Sequence, residues 1–149
     1  MSLPTERQAE RYEPALRGLS ALLDLVAPHA ARKPADAAPA ELLAEARSVL
    51  SEVRYIASRL PGAHLPPLTV TSWLAIQARL LHARTALQLF RQHYWGRNRH
   101  LQDYAWQTVE MAELDRELRA AGLDGDSEDG DEDEGGEEDE EIAAGDLPL

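Results

Sequence analysis

Between Trp73 and Tyr94 the residues Trp73, Ile76, Leu80, Ala83, Leu87, Phe90 and Tyr94 recur at alternating intervals of three and four. Only an α-helix brings such a series onto one stripe, because a strand would scatter it over both faces. The repeat has the form of a coiled-coil seam and therefore demands partner helices. Leu74 and Leu81 lie on a second face, so this helix is either central or meets a partner beyond its neighbours.

Three other segments follow the same rule. The first helix is expected to open at Thr5, with Gln8 completing a capping box, and to carry Tyr12, Leu16, Leu19, Leu23 and Val26 on one face. Pro14 within that pattern predicts a kink or a fresh start. The stretch "PHAARKPADAAP" reads as a linker. The second helix begins near Pro39, buries Leu42, Leu43, Ala46, Val49, Leu50, Val53, Ile56, Ala57 and Leu60, and stops at Pro61-Gly62. Pro66-Pro67 keeps the next connection out of helix. Thr71 is the expected N-cap of the third helix, which runs to Tyr94 or Trp95 before Gly96. For the fourth, Asn98 is the expected cap and Gly122 the stop. Its stripe would be Leu101, Tyr104, Ala105, Thr108, Met111, Ala112 and Leu118, interrupted by Asp115, with Trp106 and Val109 pointing elsewhere. No alternating run of β-branched residues signals a strand. The expected fold is all-α: a four-helix bundle-like domain over residues 1–123, with the third and fourth helices forming a helical hairpin at Gly96. Self-association into a homo-oligomer is expected.

The chain carries a net charge of −12, distributed unevenly. Residues 124–149 hold 14 of the 27 acidic residues and no Lys or Arg. Such a run of one charge, with glycine and little apolar content, is expected to form a separate disordered acidic tail. Residues 1–123 are slightly basic, with 15 Lys or Arg against 13 acids. Between Glu52 and Asp103 there is no acid at all, yet Arg54, Arg59, Arg79, Arg84, Arg91, Arg97 and Arg99 lie there, with His64, His82, His93 and His100.

The absence of cysteine removes disulfides, thiolate metal sites and a cysteine nucleophile. Neither a glycine-rich phosphate loop nor a Glu-x-x-His or His-x-x-x-His pair is present. Arg59 and His64 have a spacing used by some all-helical RNases, but Pro61-Gly62 interrupts it. No enzyme activity, cofactor or metal is expected. The start "MSLPTERQAERYEP" has no apolar leader, and no apolar run nears the roughly 18 residues of a membrane span. A cytoplasmic protein without membrane contact is expected, and the arginine and alanine bias suggests a bacterial, GC-rich source.

The cations concentrate in "RQHYWGRNRH", residues 91–100. Arginines there can neutralise phosphates, and an aromatic at the turn can stack on bases. Arg84 lies seven residues before Arg91, on the same side of the helix. We therefore expect DNA or RNA binding through Arg84, Arg91, Trp95, Arg97, Arg99 and His100, with the tail modulating that contact or recruiting a partner protein. The plainer alternative is a solvated basic face, with Arg91 at a helix C-terminus meeting the macrodipole. A competing expectation is a protein–protein adaptor or phage-type oligomeric module, contacting its partner through Leu74, Leu81 and Trp95, with a tail that only solubilises.

After the acidic run come Gly145, Asp146, Leu147, Pro148 and Leu149. This end loosely resembles the acidic C-terminal tip of bacterial single-stranded DNA-binding proteins, in which an acidic run precedes aspartate, an apolar residue, proline and a terminal phenylalanine. In that family the tip docks on partner proteins of replication and repair. The resemblance implies a partner-binding role for Asp146, Leu147, Pro148 and Leu149. Leu149 stands where the family has phenylalanine, and the helical body carries no sign of that family's β-barrel.

Overall fold

A computed structural model describes residues 2–122. The acidic segment 124–149 and its tip, Asp146 to Leu149, lie outside the described residues. The elements in chain order are α1 (Glu6–Glu10), α2 (Tyr12–Arg32), α3 (Ala40–Ile56), α4 (Trp73–Tyr94), β1 (Trp95–Asn98), β2 (Asp103–Trp106) and α5 (Val109–Ala120).

The capping box at Thr5 forms as its sequence predicts. Thr5 Oγ1 accepts from the Gln8 amide at 3.2 Å, and Gln8 Oε1 accepts from the Thr5 amide at 2.8 Å. The buried Gln8 also donates through Nε2 to Tyr55 O at 2.8 Å and Ser58 Oγ at 2.9 Å, tying α1 to the end of α3. The chain breaks at Arg11 and α2 restarts at Tyr12. Pro14 then falls in the first turn of α2, where an amide has no intrahelical acceptor, so it interrupts nothing. The expected linker from Pro28 is corrected, because α2 continues through Pro28 to Arg32. Pro28 and Asp24, whose carbonyl loses its partner, are both exposed, while Val26 and Ala30 anchor that turn in the core.

The segment before α4 is clamped to its N-terminus. Trp73 and Leu74 amides donate to Asp36 O at 3.0 Å and Pro34 O at 3.1 Å. Thr71 is not the cap: its carbonyl accepts from Ala38 N, and Ser72 Oγ accepts from Ala75 N at 3.3 Å. The core lies among α2, α3 and α4, around Leu19, Val26, Val53, Ile56, Ile76, Leu80 and Leu87. The α4 seam read from sequence is the central stripe of this core.

The expected all-α hairpin is corrected after Tyr94. Residues 95–106 form an antiparallel β-hairpin pairing Trp95 with Trp106, Gly96 with Ala105, Arg97 with Tyr104, and Asn98 with Asp103. Asn98 builds the turn: its backbone oxygen accepts from Gln102 N at 2.8 Å and its side-chain oxygen from Leu101 N at 2.9 Å. Gln102 closes the turn at φ +55°, in the left-handed region. The Gln107 amide donates to Tyr94 O at 2.6 Å across the base of the ribbon. The last helix therefore begins at Val109 rather than near Asn98, with the buried Thr108 as its N-cap on Met111 N. Its start is held by Val109 N to Pro4 O at 2.9 Å and by Glu110 Oε1, which accepts from Glu6 N at 2.8 Å.

No residue of α5 is fully buried. A four-helix bundle with α5 as its fourth member is thus corrected to a core of three long helices, with a β-hairpin and α5 beside it. Leu101 and Tyr104, expected on a buried stripe, are 59% and 58% exposed. No helix among the described residues is long and apolar enough to cross a membrane.

Candidate nucleic-acid interface

The arginines of the acid-free interval divide into two groups. Three bond backbone carbonyls of loops and termini. Arg54 Nε donates to Leu65 O at 3.1 Å, Arg59 to Leu3 O at 3.1 Å, and Arg79 to Pro66 O and Pro67 O, each at 3.3 Å. Arg54 and Arg79 thus supply donors to a proline-rich connection, which has few amides to offer, and Arg59 holds the N-terminal segment. The remaining four are Arg84, Arg91, Arg97 and Arg99, the arginines singled out at and beside the turn.

An aromatic chain carries the hairpin. Phe90 packs between Tyr12 and Tyr94, with ring centroids 6.0 and 5.1 Å away. Trp106 reaches from β2 onto Phe90 at 5.2 Å and Tyr12 at 5.0 Å. Trp95 meets Trp106 edge to face at 5.0 Å, within the range favoured by aromatic pairs. Arg91 lies over the Trp95 ring, 5.4 Å from its centroid. Burial pushes the Tyr12 hydroxyl above its ordinary pKa, against the Arg91 guanidinium, which favours ionisation. Burial raises Tyr94 as well. Trp95 is accordingly half-buried with a cation on its face, and the exposed ring of the ribbon is that of Tyr104, across from the exposed Arg97.

Beside the ribbon, between its turn and α5, opens a cleft of about 400 Å³. His93, Arg97, Asn98, Arg99, His100, Gln107, Asp115 and Arg119 supply its polar lining. His93 donates through Nδ1 to Leu89 O at 3.1 Å. His100 Nε2 and Asp115 Oδ1 are 2.5 Å apart, and Arg119 Nε meets Asp115 Oδ2 at 3.0 Å. The hydrogen bond from His100 is the main cause holding the Asp115 carboxyl below its ordinary value. Partial desolvation opposes it, and Arg119 assists.

A depressed native pKa means that the carboxylate contributes stability above the ordinary aspartate value of 3.8 and loses it as pH falls through the native value. The expected result is that Asp115→Asn lowers the urea midpoint by a constant amount at neutral and mildly acidic pH. The difference from wild type then closes as pH is taken below that range. A gap that persists at low pH contradicts this electrostatic role.

Of the residues expected to bind nucleic acid, Arg97, Arg99 and His100 come together on the cleft. Arg91 and Trp95 form a stacked pair at the base of the ribbon, and Arg84 is exposed two turns earlier on α4. Leu74 and Leu81, proposed for partner binding, are exposed on α4. Trp95 lies at the opposite end of that helix from Leu74, about 30 Å away at 1.5 Å per residue, so these do not form one patch. Sequence reasoning assigned Tyr104, Gln107 and Asp115 to a helix stripe or passed over them. The available signal was the alternation Trp95, Arg97 and Tyr104, Trp106 on either side of the turn-forming Asn98. Among the described residues no group of three or more His, Asp or Glu side chains is placed to hold a metal ion. No protein-family model matches the chain, and no curated protein or solved structure shows significant similarity to it.

Proposed function

We propose that the protein binds single-stranded nucleic acid along the β-hairpin and its adjoining cleft. The observation that carries this reading is the cross-strand pair Arg97–Tyr104, an exposed cation beside an exposed ring, whose Arg97 also lines the cleft that holds Arg99 and His100. A ribbon with one aromatic face and several cations suits a strand whose bases stack and whose phosphates pair with guanidinium groups. A duplex hides its base faces, so the single strand is the better fit. Residues 124–149, with a charge of −14, follow shortly after Arg119 on the cleft rim. In this reading the acidic segment competes with nucleic acid for the same cations or recruits a partner protein.

The test is fluorescence anisotropy of a labelled single-stranded oligonucleotide. Tyr104→Ala is expected to weaken binding by about 1–3 kcal/mol, the value of one stacked base, with unchanged circular dichroism. Binding that is indifferent to Tyr104 removes the stacking role.

A second reading is favoured by Leu74 and Leu81, which present 53% and 38% of their surface on α4. Two exposed leucines seven apart on a helix whose other stripe is the core suit an adaptor or self-association face. That reading expects salt-insensitive association, abolished by Leu81→Glu.

A further inference from the structure

Two histidines share the cleft, and each has one ring nitrogen fixed by a different acceptor. The Leu89 carbonyl can only accept, so Nδ1 of His93 carries a proton and Nε2 of the neutral ring is left with a lone pair. His100 is held the other way round. The Asp115 carboxylate, kept ionised by its surroundings, accepts from Nε2, leaving Nδ1 to exchange a proton. A carboxylate bonded to one side of an imidazole stabilises the imidazolium that forms when the other side is protonated. The cleft thus presents one ring with Nε2 open and one with Nδ1 open, beside Arg97.

We propose that this cleft cleaves RNA, with His93 as general base and His100 as general acid in an internal transphosphorylation. The proposal rests on the binding reading above and adds a chemical step to it. His93 Nε2 takes the proton of a ribose 2′-hydroxyl as that oxygen forms a bond to the adjacent phosphorus. The bond from phosphorus to the 5′-oxygen of the next nucleotide breaks, and the leaving oxygen takes the proton from His100 Nδ1. The products are a 2′,3′-cyclic phosphate and a free 5′-hydroxyl. Atoms and charge balance without a co-reactant, and solvent exchange restores both histidines. Arg97 pairs with the phosphate, whose charge moves onto the non-bridging oxygens as the bond forms. Asp115 touches no substrate atom; it is a positioning residue, itself oriented by Arg119 at 3.0 Å. The substrate class follows from the chemistry, since DNA lacks the 2′-hydroxyl that the base must deprotonate.

The experiment incubates the full chain with a labelled single-stranded oligoribonucleotide in a chelating buffer and resolves products by their ends. The expected result is 2′,3′-cyclic phosphate termini, with no cleavage of the DNA oligonucleotide of the same sequence. His93→Ala and His100→Ala each lower the single-turnover rate at saturating protein by about 10²–10⁴-fold, the usual contribution of general acid–base catalysis, with unchanged circular dichroism. Asp115→Asn slows cleavage of ordinary RNA but not of RNA with sulfur in place of the 5′-bridging oxygen, whose leaving group needs no proton; loss of folded protein would slow both. RNA that is bound but not cut overturns the catalytic proposal and leaves the binding reading standing. Cleavage that survives both histidine substitutions overturns it too, since the activity then belongs to other groups. If neither oligonucleotide binds, the reading beneath it falls first.

Discussion

Phe90→Ala is expected to cost about 3–5 kcal/mol of stability, the range for deleting a buried aromatic ring. Small proteins have only about 5–15 kcal/mol in total, so the variant should sit close to its unfolding threshold. The size of the effect follows from position. Phe90 is fully buried and is the ring on which Tyr12, Tyr94 and Trp106 converge. Its loss leaves a cavity under the β-hairpin as well as between the helices, and Trp106 loses the surface that anchors the ribbon. Urea unfolding followed by circular dichroism should show the lowered midpoint, and tryptophan emission should shift to the red before global unfolding. Leu74→Ala, on the exposed side of the same helix, should stay within about 0.5 kcal/mol of wild type. Comparable losses at the two sites would contradict the placement of the core.

Neutralising Arg97 and Arg99 together is expected to have the largest effect on binding. Each cation that pairs with a phosphate releases counterions, and for a single strand the logarithmic salt slope changes by about 0.7 per contact. The double variant Arg97→Ala/Arg99→Ala should therefore bind more weakly at low salt and show a slope shallower by about 1.4. Arg54→Ala and Arg79→Ala make the contrast. Those guanidinium groups hold the carbonyls of Leu65, Pro66 and Pro67, so their removal should lower stability and leave the slope alone. If all three variants changed the slope equally per arginine removed, the binding would follow overall charge and not the hairpin.

The helices of the core were legible because their apolar residues repeat over many turns. The α4 seam from Trp73 to Tyr94 is set by seven positions, and the Thr5–Gln8 box by two side chains with few alternatives. The β-hairpin was not legible, because each strand has only four residues, too few for alternation to outweigh a three-four pattern running on from Leu101 to Leu118. That pattern failed for a tertiary reason. Trp106, off the imagined helical stripe, finds Tyr12 and Phe90 when the chain is extended, and Asn98 closes the turn through both its backbone and its side chain. Pro28 misled in the opposite sense, since a proline on the exposed side of a helix costs less than the buried anchors around it supply. At the site, the concentration of cations was plain in the sequence. The roles of Tyr104, Gln107 and Asp115 were not, because they depend on the ribbon, which sets Tyr104 across from Arg97 and leaves Gln107 and Asp115 on one cleft with that arginine.

The most direct test of nucleic-acid binding at the hairpin end is the salt dependence of affinity for a labelled single-stranded oligonucleotide. It should be measured on the full chain and on a variant whose acids from Asp124 to Glu141 are changed to Asn and Gln. The predicted result is binding that weakens steeply with salt, tighter in the variant, with a slope reduced by Arg97→Ala/Arg99→Ala. Absence of binding by both proteins at low salt would contradict it and leave the cations of the turn as a solvated face.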